Sequence, residues 1–280
     1  MAKLAENKYG KSRVRLVRVK RGKDGHELCE WTVQVLLQGD FESCFTEGNN
    51  CKILPTDTMK NTVYSLAKDS SANCIEDFGK EMVEFLLKRN PQVSAAEVNV
   101  SETAWDHLKV GGAAYPTTFV QTGGESQTAS VQGRGGDFSV LSGLANLILM
   151  KTAGSAFEGY IKDSLTTLRE TNDRLFGTAL RANWRYGTSN LDFRSLRSKV
   201  RESLLSSFAE HQSKSVQHTL FDMAEKVLSA VPEVNDIEVV MPNKHCLLVD
   251  LSRFGQDNPN EIFVPTDEPH GYIEARVCRQ

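Results

Sequence analysis

"PQVSAAEV", residues 91–98, and "PEVNDIEV", residues 232–239, agree at proline, valine, glutamate and valine and lie 141 residues apart. Each begins with a proline, which cannot continue a helix, and passes into alternating apolar residues of strand type. The run before the first, "IEDFGKEMVEFLLKRNP" (75–91), sets Phe78, Met82, Phe85 and Leu86 at helical spacing. The run before the second, "SVQHTLFDMAEKVLSAVP" (215–232), is likewise helical and stops at Pro232. One step further out, Met59, Val63 and Leu66 predict a helix from near Thr56, with Thr56 or Asp57 as its N-cap. Its counterpart over 191–211 turns Phe193, Leu196, Val200, Leu204 and Phe208 inward.

Strands flank both helix pairs. "RVRLVRVK" (13–20) and "LCEWTVQVLLQGDF" (28–41) precede the first pair, the latter with Cys29, Trp31, Val33, Val35 and Leu37 on one face. "AAEVNVSETAW" (95–105) and "YPTTFVQT" (115–122) follow it. The second half repeats the order with "LSGLANLILMK" (141–151), "LRANWRYG" (180–187), "DIEVVM" and "HCLLVDL". Between the halves, "QTGGESQTASVQGRGGD" (121–137) is rich in Gly and Ser and reads as turns. The pattern is an internal duplication of α+β class. It predicts one domain over 1–135 and a second over 136–280, each an antiparallel sheet with two helices on one face. The other sheet face needs cover, so oligomerisation is expected.

The 280 residues are 40% hydrophobic and 25% charged, as in ordinary globular proteins. No apolar run reaches the ~20 residues of a membrane span. The first residues, "MAKLAENKYGK", lack a secretory apolar stretch, and "RVCRQ" is neither a peroxisomal nor an ER-retention tail, so a cytoplasmic protein is expected. Net charge is −3, with Lys and Arg dispersed, which argues against nucleic-acid binding. The six cysteines form no CxxC pair and the six histidines no HExxH, so neither a disulfide framework nor a metal site is indicated.

Four places resist a purely structural reading. Lys11 stands just before the first strand, where a lysine is in general merely solvated. Thr56 and Asp57 begin a helix. The long segment over 150–174 contains Phe157 and Arg174. In "MPNKHCLLVDL" (241–251), Asn243, Lys244 and His245 fall on a tight connection between two apolar strands.

Taken together these places resemble the urate oxidases (uricases). The resemblance runs in order through "YGKSRVRLVRV", "LPTDTMKNTVYSLAKD", "SAFEGY…TTLRETNDR", "SVQHTL" and "MPNKHCLLVDLSRFGQDNPNEIF", and is weakest over about 92–140. The family signature reads here "LILMKTAGSAFEGY", with Leu168 and Arg174 at the expected distances. Ala153 replaces a usual hydroxyl residue and Leu165 a usual aromatic, which touches local packing more than chemistry.

The resemblance implies two tandem tunnelling-fold domains assembled as a homotetrameric barrel, with sites at subunit interfaces. It implies oxidation of urate by O2 and water to 5-hydroxyisourate and hydrogen peroxide, with neither metal nor organic cofactor. By the family pattern, Arg174 forks onto one edge of the urate pyrimidine ring, which a planar guanidinium suits. Gln217 and the Val216 N–H meet the opposite edge, Phe157 stacks on the ring, and Thr56 with the Asp57 N–H meets the five-membered ring. Lys11, Thr56 and His245 correspond to the proton relay, and Asn243 with Thr56 to the O2, peroxide or water site. The rivals are a purine- or urate-binding protein without turnover, and a zinc-dependent pterin-pathway enzyme of the same fold, which would need a ligand cluster.

Overall fold

The computed structural model describes residues 2–279, and of its fifteen α-helices and strands twelve follow the duplicated order. Strands β1 (Tyr9–Arg21) and β2 (His26–Gly39) form a hairpin. The short α1 (Glu42–Glu47) leads to α2 (Thr56–Asp69) and α3 (Ile75–Arg89), then to β3 (Val93–Val110) and β4 (Ala113–Arg134). The chain continues through β5 (Asp137–Lys151), β6 (Phe176–Tyr186), α4 (Phe193–Glu210), α5 (Val216–Ala230) and β7 (Val234–Val240). It closes with β8 (Asn243–Leu248), β9 (Phe263–Gly271) and β10 (Glu274–Cys278). α1, β9 and β10 have no counterpart in the sequence-based reading.

Two compact units emerge. The first comprises residues 1–144 and 185–197, the second 145–184 and 198–280, so the division falls inside β5, β6 and α4. In the first unit β1–β2–β3–β4 is antiparallel throughout. Trp31, Val33, Val35 and Leu37 of β2 point to one face with Val98, Val100, Ala129 and Val131, and there they meet Met59, Val63, Phe78, Met82 and Leu86 in one buried core. The period of two in the strands and 3.6 in the helices is what lets both bury one face.

The opposite face of that sheet is polar. Gln34 donates to Ser12 Oγ, and Asn99 donates to Gln34 and Glu97. An antiparallel sheet can leave such a face to water, although Val17 of β1 is exposed as well. Exposed apolar side chains occur in both units, among them Val17, Phe45, Val110 and Val120 in the first and Ile148, Met150, Ile161, Leu165, Leu168, Leu247 and Val264 in the second.

The Gly/Ser-rich stretch is mostly strand rather than turn. Ser126–Arg134 pairs in register with Ala95–Thr103, and only Gly135 and Gly136, both at positive φ, make the turn. The reason is close approach. A Cβ on Gly133 would lie 2.4 Å from Val83 Cγ1, so the missing side chain lets α3 settle on β4.

The backbone repeats itself in several places. α3 spans 75–89 and α5 spans 216–230, displaced by the same 141 residues, and β3 and β7 start at Val93 and Val234. Asn90 N–H bonds Leu86 O and Val93 N–H bonds Asn90 O; Val231 and Val234 repeat both bonds with Val227 and Val231. One difference breaks the repeat. β7 lies between β6 and β10, while β8, which follows β7 in the chain, pairs instead with β6 and β9.

Candidate active site

In the first unit, Lys11 lies within β1 rather than ahead of it. β1 starts at Tyr9, and a bulge between Lys11 and Val14 puts Arg13 at φ +57°. Bulges re-aim neighbouring side chains. Thr56 and Asp57 are the first and second residues of α2, and Pro55, not either of them, is the N-cap. The Asp57 carboxylate turns back along the helix, accepting from Lys60 at 2.5 Å and Asn61 at 3.0 Å. The first helical bond is Met59 N–H to Pro55 O, which leaves the N–H groups of Thr56 and Asp57 outside the ladder.

Tyr9, which sequence reasoning passed over, ties the two places together. Its hydroxyl accepts from Leu54 N–H at 2.9 Å and donates to Leu54 O at 3.2 Å, pinning the segment before Thr56 onto β1. The Asp57 carboxyl is held below its ordinary range mainly by Lys60, with Lys11 adding a smaller attraction. Lys11, Thr56 and Asp57 thus form one exposed to half-buried group.

In the second unit, two expected residues, Phe157 and Arg174, are knotted by backbone bonds. Phe157 and Thr171 exchange N–H···O bonds at 2.7 and 3.2 Å, Arg174 N–H bonds Ser155 O at 2.8 Å, and Ala156 N–H bonds Ser213 O at 2.8 Å. Ser213 precedes Ser215, the N-cap of α5, whose hydroxyl accepts from His218 N–H. Val216 and Gln217 are therefore the first two helical residues, and their N–H groups are free of the helical ladder. The Arg174 guanidinium sits 5.0 Å from the Phe157 ring centroid, and Tyr160 stacks on Phe157 at 4.9 Å. The i, i+3 spacing in "FEGY" is the signal that could have found Tyr160.

Arg174 is half-buried, and burial lowers its pKa by disfavouring the charged form. Its Nε has no hydrogen-bond partner, nor have the buried hydroxyls of Ser155 and Thr178 close by in the chain. Unpaired buried donors cost free energy unless a ligand meets them. Asn243 and His245 start β8 itself, so the tight connection is Met241–Pro242; Asn243 pairs with Thr178, four residues beyond Arg174. His245 is half-buried opposite Thr266 of β9. Ala153 and Leu165 are exposed, so neither departure disturbs the packing of this chain. No single unit holds all nine expected residues: Lys11, Thr56 and Asp57 belong to the first, the other six to the second. Among the described residues no three His, Cys, Asp or Glu side chains gather as a metal cluster would require.

The family model of uricase matches residues 7–132 and 140–274. The chain belongs to the uricase family. The uricase of Arthrobacter globiformis is 38% identical over 277 residues, covering 99% of this chain and 90% of that protein. The uricase of Dictyostelium discoideum is 36% identical over 282 residues, covering 100% and 98%. The crystal structure of the Arthrobacter globiformis uricase superposes with a TM-score of 0.94 at 37% identity, over 100% of this chain and 96% of that one. α+β architecture with an antiparallel sheet is thus common to this chain and that uricase.

Arg174→Lys is expected to weaken binding of the uricase substrate by about 2 kcal/mol or more despite keeping the charge, because a point-like ammonium cannot fork. Unchanged affinity in a titration with a non-reactive analogue would show that Arg174 is not the expected substrate contact.

Proposed function

We propose that this chain is a urate oxidase that converts urate, O2 and water to 5-hydroxyisourate and hydrogen peroxide without metal or organic cofactor. The observation that carries the reading is the Arg174 guanidinium, unpartnered at Nε, beside Phe157 and bonded through the backbone toward the open start of α5. Urate is a flat anion with carbonyls and ring N–H groups. A planar cation, an aromatic face, an amide side chain and free helix N–H groups answer each of those features.

In this reading Arg174 and Gln217 hold opposite edges of the pyrimidine ring, with the Val216 N–H assisting. Phe157 stacks on the ring, and Thr56 and the Asp57 N–H meet the five-membered ring. Lys11, Thr56 and His245 pass the proton whose removal makes urate electron-rich enough to reduce O2, with the threonine hydroxyl both donating and accepting. Asn243 and Thr56 hold O2, and later peroxide or water, above the ring.

Mixing purified protein with urate tests this directly. Loss of urate ultraviolet absorbance, with O2 consumed and peroxide released in equal amounts and chelators without effect, is the expected result. Bound but unconsumed urate would make the protein a binder, and chelator-sensitive turnover would contradict the cofactor-free chemistry.

We further read the two groups of residues as halves of sites completed between chains, on two tandem tunnelling-fold domains (1–135 and 136–280) in a homotetramer. Thr56→Ala and Arg174→Ala proteins should each be nearly inactive. Co-expressed at equal levels, they should regain about a quarter of wild-type sites if each site takes its threonine and arginine from different chains. With both residues from one chain, no mixed site is intact and activity stays at the single-variant level.

A further inference from the structure

We infer that His218, His211 and Asp222 form a positioning chain that fixes the start of α5, and with it the Gln217 amide; this rests on reading Gln217 as a substrate anchor. His218 follows Gln217 directly and closes the first turn of α5 through its N–H to Ser215 Oγ, at 3.1 Å. Its Nδ1 lies 3.1 Å from His211 Nε2. His211 Nδ1 in turn lies 3.2 Å from Asp222 Oδ1, and Asp222 Oδ2 accepts from Ser207 Oγ at 2.7 Å. Lys151 of β5 donates to the His211 carbonyl, so the segment after α4 is held from both sides. Four elements of one unit thereby converge on the residue next to Gln217.

The chemistry of the pair gives the chain a direction. A neutral His211 whose Nδ1–H faces the Asp222 carboxylate has Nε2 left as an acceptor. His218 must then present Nδ1–H to it. One added proton reverses the link and keeps it, because His211 Nε2–H can donate to a bare His218 Nδ1. A second proton places two donors face to face and breaks it.

The groups that set this balance all face His211 or its cleft. Asp222 favours the added proton, while Lys151 and His218 oppose it. Glu210, Glu225 and Lys226 line the open cleft of about 340 Å³ beside them. Burial is the largest influence on His211 and holds its imidazole below the ordinary histidine range, against the pull of Asp222.

A loosened first turn moves the Gln217 side chain and the Val216 N–H together. Both act on bound urate and transition state alike, so the loss should appear in KM rather than kcat. The test compares His218→Ala, His218→Asn and Gln217→Ala, with KM and kcat measured at neutral pH.

His218→Ala should raise KM about five- to tenfold at neutral pH, with kcat within about twofold. His218→Asn should restore the wild-type KM, since its Nδ2–H stands where the imidazole Nδ1–H stood. A wild-type KM in His218→Ala beside a raised KM in Gln217→Ala overturns the positioning chain. Lowered thermal stability without a KM change also overturns it, leaving His218 a structural residue. If Gln217→Ala itself keeps the wild-type KM, the reading of the substrate site falls first and the chain with it.

Discussion

Lys11→Met and His245→Ala are each expected to lower kcat for urate oxidation by about 10²- to 10⁴-fold, the range of a lost general acid–base group. Neither residue is placed on the edges of the ring, so a urate analogue should still bind with nearly unchanged affinity. Lys11 comes from the bulged start of β1, and its charge reaches Asp57 at the head of α2. His245 comes from β8, where pairing to β9 fixes its backbone. Neither can replace the other, because the two stand on different elements in different units.

The decisive measurement is the double variant. Groups that act as a unit are strongly non-additive. If lysine, threonine and histidine pass one proton in series, Lys11→Met with His245→Ala should be little slower than either alone. A fully multiplicative loss would mean that the two residues serve separate steps. The thermal midpoint separates lost chemistry from a lost fold, and Lys11 and His245 are only half-buried, so midpoints near wild type are expected.

Much of this arrangement was legible in the sequence because it rests on local rules. Pro91 and Pro232 mark helix ends that recur with identical hydrogen bonds, and apolar spacing placed α2 to α5 within a few residues. What the sequence hid was long-range. Nothing local says that β7 pairs with β10, more than thirty residues on, rather than with the adjacent β8. Glycine and serine look like turn residues, yet in β4 they are strand residues because α3 needs the room. The N-cap fell one residue early because Pro55 can hold that backbone conformation without a capping side chain. The individual residues of the proposed site rest on the resemblance; Tyr9 and Tyr160, which lie beside them, carry no signal beyond their spacing.

Arg197→Ala is expected to cost about 3–5 kcal/mol of stability, the usual penalty for stranding one member of a buried ion pair. The duplication explains why this place matters. Displaced by 141 residues, Gln217 at the start of α5 corresponds to Glu76 at the start of α3, and Thr56 at the start of α2 corresponds to Arg197 in α4. Where the first members face a ligand in our reading, the second members face each other. Arg197 Nε lies 3.6 Å from Glu76 Oε1, and its Nη2 lies 3.6 Å from Glu102 Oε2. Glu76 is fully buried and also accepts from Ser142 Oγ at 2.5 Å. Glu76 Oε2 and Arg197 Nε and Nη1 remain without partners, so the pair is already short of hydrogen bonds. With alanine at 197, the Glu76 carboxylate would keep only the serine. A Glu76→Gln/Arg197→Met double variant removes both charges and should therefore be less destabilised than Arg197→Ala alone. Thermal midpoints of the wild type, the single and the double variant decide it, and a double variant no better than the single would show that the charge pairing is not what holds α4 to α3. Urate kinetics per folded site should stay at wild-type values in all three, because neither residue belongs to the proposed site.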